Sequence, residues 1–153
     1  REISKGFEFH PAIYQRREEI NAIVHTHGFW GTALAGLSRP LRIRHNLACF
    51  FHEDQAISPD DSFASIGEAI GTANTIIIPW HGCITVGSSM GRATALHQTL
   101  EEMAKLDVTL EPSNAPEIPK EWRDKIKNLI DLEAHYLEQT WDLMQRKING
   151  KAN

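Results

Sequence analysis

The sequence predicts an α/β fold, and three observations carry that reading. Ala22-Ile23-Val24 is a short apolar run that ends in two histidines one residue apart. Thr75-Ile76-Ile77-Ile78 and Cys83-Ile84-Thr85-Val86 are apolar runs rich in β-branched residues, with the length and composition of buried strands. Around these runs lie stretches with apolar residues at helical spacing, the longest from Ser89 to Leu110. At 153 residues the chain reads as a single domain, 1–153, long enough to bury a real core.

Taken in order, Phe9 to Glu19 reads as a helix with Phe9, Ala12, Ile13 and Tyr14 on its apolar stripe and Gln15 to Glu19 opposite; Asn21 breaks it. The strand from Ala22 runs into Gly28 to Leu37, a short helix whose small residues allow close packing on a sheet, closed by Ser38-Arg39-Pro40. Leu41 to Phe51 alternates loosely and is expected to supply one or two strands. Ser58-Pro59-Asp60-Asp61 is a loop and cap signal for a helix over Ser62 to Thr72. Strand Thr75 to Trp80, a turn at His81-Gly82 and strand Cys83 to Val86 follow. In the Ser89–Leu110 helix Ala93, Leu96, Leu100, Met103 and Val108 mark the core face. Pro112, Pro116 and Pro119 make 112–119 a linker, since proline cannot continue a helix. Residues 120–148 then carry two helices, Glu121 to Ile130 and Leu132 to Ile148, whose apolar faces need cover from this chain or from a neighbouring subunit.

Hydrophobic residues at 41% and charged residues at 24% are those of an ordinary globular protein. A net charge of -4 without any Lys/Arg block argues against a nucleic-acid surface. No apolar run approaches the roughly 20 residues of a membrane span, and no signal peptide is visible. Cys49 and Cys83 lie far apart and form no Cys-x-x-Cys pair, so both are expected to be reduced thiols in a cytoplasmic protein.

The chemistry concentrates at the strand ends. Side chains alternate along a strand, so His25 and His27 share one face while Ala22 and Val24 turn into packing on the other. Two imidazoles on one rigid element are half of a divalent-metal site. Ile76-Ile77-Ile78-Pro79-Trp80-His81-Gly82 is a second β-branched run ending in histidine, which predicts a three-histidine site, His25, His27 and His81, at the mouth of a sheet. Of the other histidines, His52 beside Glu53 and Asp54 is a rival ligand, His97 on the long helix is expected to pack rather than ligate, and His135 is expected at the surface.

Val24-His25-Thr26-His27 followed by His81-Gly82, within a stretch that opens on Phe9-His10-Pro11-Ala12-Ile13-Tyr14 and includes Gly87, resembles the class II aldolase/adducin family. The resemblance extends from Phe9 to about Glu111 and implies a central, mainly antiparallel sheet with helices on both faces. It implies that His25, His27 and His81 hold a catalytic divalent ion, zinc first, with manganese or iron as alternatives. It also implies a small-molecule substrate, a homotetramer, a supporting role for His10 near the ligands, and a sharp turn at Gly82. Relatives have further strands and helices ahead of the position of Arg1, so an N-terminal part with phosphate-binding Gly/Ser/Thr loops is expected to be missing.

The expected function is a metal-dependent carbon–carbon lyase, an aldolase or decarboxylase acting on a sugar phosphate or a small hydroxy or keto acid through a metal-stabilised enediolate. Two alternatives stand beside it: an adducin-like assembly module without catalysis, and a non-haem iron oxygenase on the same fold. Adducin heads lack the metal histidines, and all three are here. The sequence departs from the aldolases at the proton-transfer groups. Counted without gaps, the aldolase glutamate falls on Gly6 and its tyrosine on Asn46, and neither can move a proton. Glu8 and His45 are the substitutes for catalytic proton transfer, and Arg39, Arg42 and Arg44 are candidates to orient a substrate carboxylate.

Overall fold

The computed structural model describes residues 9–150. Four strands, β1 (Ala22–Thr26), β2 (Gln55–Ile57), β3 (Thr75–Ile78) and β4 (Gly82–Gly87), form one sheet in the order β1-β4-β3-β2. β1 and β3 each pair antiparallel with β4, while β2 joins β3 in parallel. The sheet is therefore mainly antiparallel, as expected. β3 and β4 are central, which is why their residues are all buried and their sequences run apolar instead of alternating.

Helices cover both faces. α1 (Phe9–Tyr14) and α3 (Phe63–Ala69) close one face, where Phe9, Ile13, Ile66 and Ile70 meet Ile23, Ile76, Ile78, Ile84 and Val86. On the other face α2 (Phe29–Gly36) and α4 (Met90–Thr109) bring Leu34, Ala35, Leu96 and Leu100 against Ile77 and Cys83. Ser62 and Ser89 cap α3 and α4 by accepting from the backbone N–H of Ser65 and Arg92. Of the expected α4 core, Ala93, Leu96, Leu100 and Met103 are buried and Val108 is half-buried.

Three elements differ from the expectation. α1 stops at Tyr14 and the chain continues in turns, from which the Arg17 side chain reaches the Ala73 carbonyl at 2.6 Å and the Asn74 side chain at 3.2 Å. Leu41 to Phe51 gives no strand. The Gln55 side chain bonds both the N–H and the carbonyl of Leu41, at 2.8 and 2.9 Å, and Glu117 takes the Ile43 N–H, so backbone groups a strand would pair are already engaged. Asn46–Phe51 is instead a 3-10 helix capped by His45 that buries Ala48, Cys49, Phe50 and Phe51. The short edge strand β2 was not expected, since Gln55-Ala56-Ile57 has too few residues to show a period.

Beyond the proline stretch, α5 (Lys120–Asn128), a π turn (Leu129–Glu133) and α6 (Tyr136–Ile148) pack back onto the body. Part of the cover these helices need comes from within the chain. The Trp141 indole lies over Gly91, 2.7 Å from where a Cβ would stand, and Leu137 is buried. Trp122, Leu129, Leu132 and Ile148 stay exposed. No helix of the described residues is long and apolar enough to cross a membrane.

Candidate metal centre

The histidines meet where β1 ends and β4 begins. His25 sits on β1 opposite Ile84, on the face closed by α1, and Phe9 packs edge-on against its ring with centroids 5.1 Å apart. His27 lies just beyond the strand, and His81 comes in from the β3–β4 turn. The ring centroids of the three are 4.8–5.3 Å apart, and one ligand nitrogen from each can be chosen so that all fall within 4.8 Å of one another. Among the described residues this is the only such group of metal-binding side chains.

The local fold explains the convergence. His25 donates from Nδ1 to the Cys83 carbonyl at 3.0 Å, which fixes its tautomer and leaves the Nε2 lone pair pointing at the cluster. That Nε2 lies 3.1 Å from Nε2 of His27. Two nitrogens on a tetrahedral zinc stand about 3.3 Å apart, given Zn–N bonds of roughly 2.0–2.1 Å. The residues present therefore fit a divalent ion. Burial, helped by the neighbouring His27, His81 and His10, lowers the pKa of His25 against the opposing pull of the Cys83 carbonyl, and the neutral imidazole is the form that ligates. Gly82 is required by space: a Cβ there would stand 2.7 Å from the Thr26 carbonyl and 3.1 Å from the His27 ring. The left-handed conformation in this turn falls instead on Trp80, at φ 57°. For so bulky a residue that conformation costs on the order of 1–3 kcal/mol.

His97, expected only to pack, and several residues with no local signal in the sequence hold this end of the sheet in place. Thr85 donates to the Ala93 carbonyl at 2.9 Å and accepts from Nδ1 of His97; Nε2 of His97 in turn accepts from Thr26, 2.7 Å away. Thr26 stands between the two β1 histidines, so the buried ring of His97 ties α4 to the ligand-bearing strand end. Glu101, one turn further along α4, accepts from Trp30 N–H at 3.2 Å and Gly31 N–H at 2.9 Å, securing the start of α2 directly after His27-Gly28. Side chains at Gly28 or Gly31 would run into that carboxylate. Asp61, from the loop before α3, brings Oδ2 to 3.9 Å from Nδ1 of His81. Only the cap signal of its loop was visible in sequence.

Burial holds the His97 pKa down from 6.5 to about 4. The unfolded chain therefore takes up a proton that the folded chain refuses as pH drops through this window. Stability contributed by neutral His97 is complete above pH 6.5 and is lost towards pH 4. The loss is expected to be roughly 3 kcal/mol. Urea titrations of chelator-treated protein at pH 7, 5.5 and 4.5 should show it, and His97→Gln should flatten the pH slope while lowering stability at pH 7.

The remaining sequence candidates do not join the ligand group. His10 stacks edge-on with Phe9 and Tyr14, and burial lowers its pKa. His45 is outside the cluster; its Nδ1 accepts from Leu47 N–H at 3.1 Å as the cap of the 3-10 helix. His52 is buried, with Nε2 3.9 Å from both Glu53 and Asp124, and does not join the group; Asp54 bonds Asn74 and Lys127. His97 is the packed residue expected, and His135 is exposed. Glu8 and Gly6 lie outside the described residues. Arg39, Arg42 and Arg44 do not form a carboxylate receptor: all three pair with Asp107 or Glu111 on α4. Cys49 and Cys83 are free and buried, and burial pushes the Cys83 thiol up to about 12.

A mainly antiparallel sheet with helices on both faces, carrying three convergent imidazoles at one end, defines an α/β protein with a candidate metal site. The chain belongs to the Class II Aldolase and Adducin N-terminal domain family, whose model matches residues 1–108. It is 33% identical over 102 residues to an L-fuculose phosphate aldolase of Methanococcus maripaludis, covering 64% of this chain and 56% of that protein. It is 26% identical over 125 residues to the decarboxylase NovR of Streptomyces niveus, covering 76% of this chain and 46% of the other. The structure of an L-fuculose 1-phosphate aldolase from Glaciozyma antarctica superposes with a TM-score of 0.85 at 25% identity, over 95% of this chain and 59% of that one. The chain thus spans about half the length of the curated relatives it matches.

Proposed function

We propose that this chain is the metal-bearing part of a carbon–carbon lyase that decarboxylates a small hydroxy or keto acid, with His25, His27 and His81 as ligands of a divalent ion, zinc first. The observation that carries this reading is the convergence of three imidazoles, one already fixed in its ligating tautomer by the Cys83 carbonyl. Relatives named as an aldolase and as a decarboxylase support lyase chemistry in general. Held by three neutral ligands, the ion would keep its full charge and stabilise negative charge on substrate oxygens.

The proton-transfer groups favour one of the two lyase reactions. Retro-aldol cleavage begins with a base taking a hydroxyl proton. Gly6 and Asn46 stand at the positions where the aldolases keep their acid and base. Decarboxylation starts from a carboxylate that is already ionised. In an acid whose carbonyl lies one carbon beyond the carbon that bears the carboxylate, the bond to that carboxylate breaks, its electron pair moves onto that carbonyl to give an enolate, and carbon dioxide leaves. One proton then returns to the carbon, from His45, Glu8 or water. His45 would deliver it from Nε2, since Nδ1 is engaged by Leu47. In this reading Asp61, close to His81, and His10, a neighbour of His25, support the ligand cluster. The working form in this reading is a cytoplasmic homotetramer acting on small molecules.

Full-length protein, stripped with chelator and reloaded with zinc, manganese or ferrous ion, should release carbon dioxide from at least one acid in a panel of aromatic and aliphatic hydroxy and keto acids. Cleavage of fuculose phosphate or ribulose phosphate with no carbon dioxide from any acid would make it an aldolase or epimerase instead. Ferrous-dependent oxygen consumption would place it with oxygenases.

A further inference from the structure

We propose that Trp80, together with Phe29, forms an aromatic wall of the substrate site and selects acids that carry a planar ring. The proposal rests on the reading of the three-histidine cluster as a site for hydroxy or keto acids and names the substrate class within it.

Aromatic rings in this chain are mostly covered. Phe9, Phe50 and Phe51 are buried, and Trp30 and Trp141 pack against the core. Two of the exposed ones flank the cluster in sequence: Trp80, 79% exposed, immediately precedes His81, and Phe29, 75% exposed, follows His27 by two residues. Exposure of an indole opposes stability, because its large apolar area stays in water. The left-handed backbone at Trp80 opposes it again.

The surrounding bonds hold the residue there. Trp80 N–H donates to the Ala35 carbonyl on α2 at 3.2 Å, and His81 N–H closes the turn onto the Ile78 carbonyl at 3.1 Å. At Gly82 a Cβ would come within 2.7 Å of the Thr26 carbonyl, so the turn passes close to the end of β1. The backbone of Trp80 is held from both sides while its ring stays largely exposed, next to a residue that would hold the reactive ion. An indole left so exposed is accessible to a group arriving from solvent. Cationic groups also favour aromatic faces, but a divalent ion nearby would repel them. The group that fits is a neutral ring on an acid whose oxygens reach the ion.

Calorimetric titration of the zinc-loaded chain with phenylpyruvate and with pyruvate tests this. Wild type should bind phenylpyruvate about tenfold more tightly than pyruvate, a ratio in the range of one aromatic contact. Asparagine tolerates the left-handed region, so Trp80→Asn should raise Tm by about 4 °C through relief of strain and bring the ratio close to one. Trp80→Phe should keep most of the preference, and Phe29→Ala should reduce it in part. A ratio unchanged in both Trp80→Asn and Phe29→Ala, with pyruvate still binding, overturns the aromatic wall and leaves the lyase reading standing. If the ratio is unchanged and Trp80→Asn dissociates an oligomer in sedimentation, the indole is a subunit contact and the proposal is wrong. If wild type binds neither acid, the keto-acid reading falls and the wall falls with it.

Discussion

The double variant His25→Ala/His27→Ala is expected to lose its metal and its activity together. Chelator-stripped wild type, reloaded and desalted, should carry one zinc per chain by elemental analysis, and the variant should carry none above background. Losing two of three ligands leaves His81 and the weakly placed Asp61, which cannot hold the ion in competition with water. Turnover, wherever it is found in the acid panel, should fall by at least about 10³, because the electrophile is the one group that can take up the charge of the broken bond. A second readout is independent of substrate. Zinc binds the folded chain alone, so zinc at about 100 times its Kd should stabilise wild type by about 2.7 kcal/mol and the variant not at all. His81→Ala should behave likewise, whereas a ligand set at His52 would leave both variants loaded. Equal zinc in wild type and double variant would dismiss the site.

What the sequence showed and what it hid follow from the range of the interactions involved. The two histidine motifs were legible because strand period and strand end are local: His25 and His27 share a face by alternation, and a β-branched run stopping at His81 marks a second strand end. Ser62 and Ser89 were legible as the starts of helices for the same reason. Leu41–Phe51 misled because its backbone partners, Gln55 and Glu117, are side chains 14 and 74 residues away, which no local pattern encodes. The supports of the site were hidden in the same way. His97 and Glu101 looked like ordinary positions on a long helix until α4 was laid across the end of β1 and the start of α2. Trp80 looked like the last residue of a strand. Only the fold shows that its backbone has turned into the left-handed region and that its ring is left outside.

Asp107→Ala is expected to cause the largest loss of stability of any single polar substitution in the chain. Asp107 is 1% exposed and lies on the last turns of α4. Its two oxygens accept from Arg39 Nη1 at 2.7 Å, from Arg44 Nη1 at 2.9 Å and from the Arg42 backbone N–H at 3.0 Å. Arg44 is itself almost fully buried, with 5% of its side chain exposed. Alanine would leave that guanidinium without its counter-charge in a place where water cannot replace it. Breaking a buried pair from one side in this way costs about 3–5 kcal/mol. Arg39 and Arg42 would retain Glu111, so the loss should fall mainly on Arg44 and on the irregular Leu41–Arg44 segment. For a chain of this size the Tm should drop by about 8–20 °C. Asp107→Asn keeps the shape and one acceptor and should lose less. The triple variant Arg39→Met/Arg44→Met/Asp107→Leu removes both signs of charge at once and should recover most of the stability, since the cost arises from the stranded cation rather than from absence of the pair. Thermal and urea unfolding of the three proteins separates these cases. A drop of less than about 1 kcal/mol for Asp107→Ala would mean the pair is worth no more than an exposed one, and that α4 and the Leu41–Arg44 segment are joined by their apolar contacts instead.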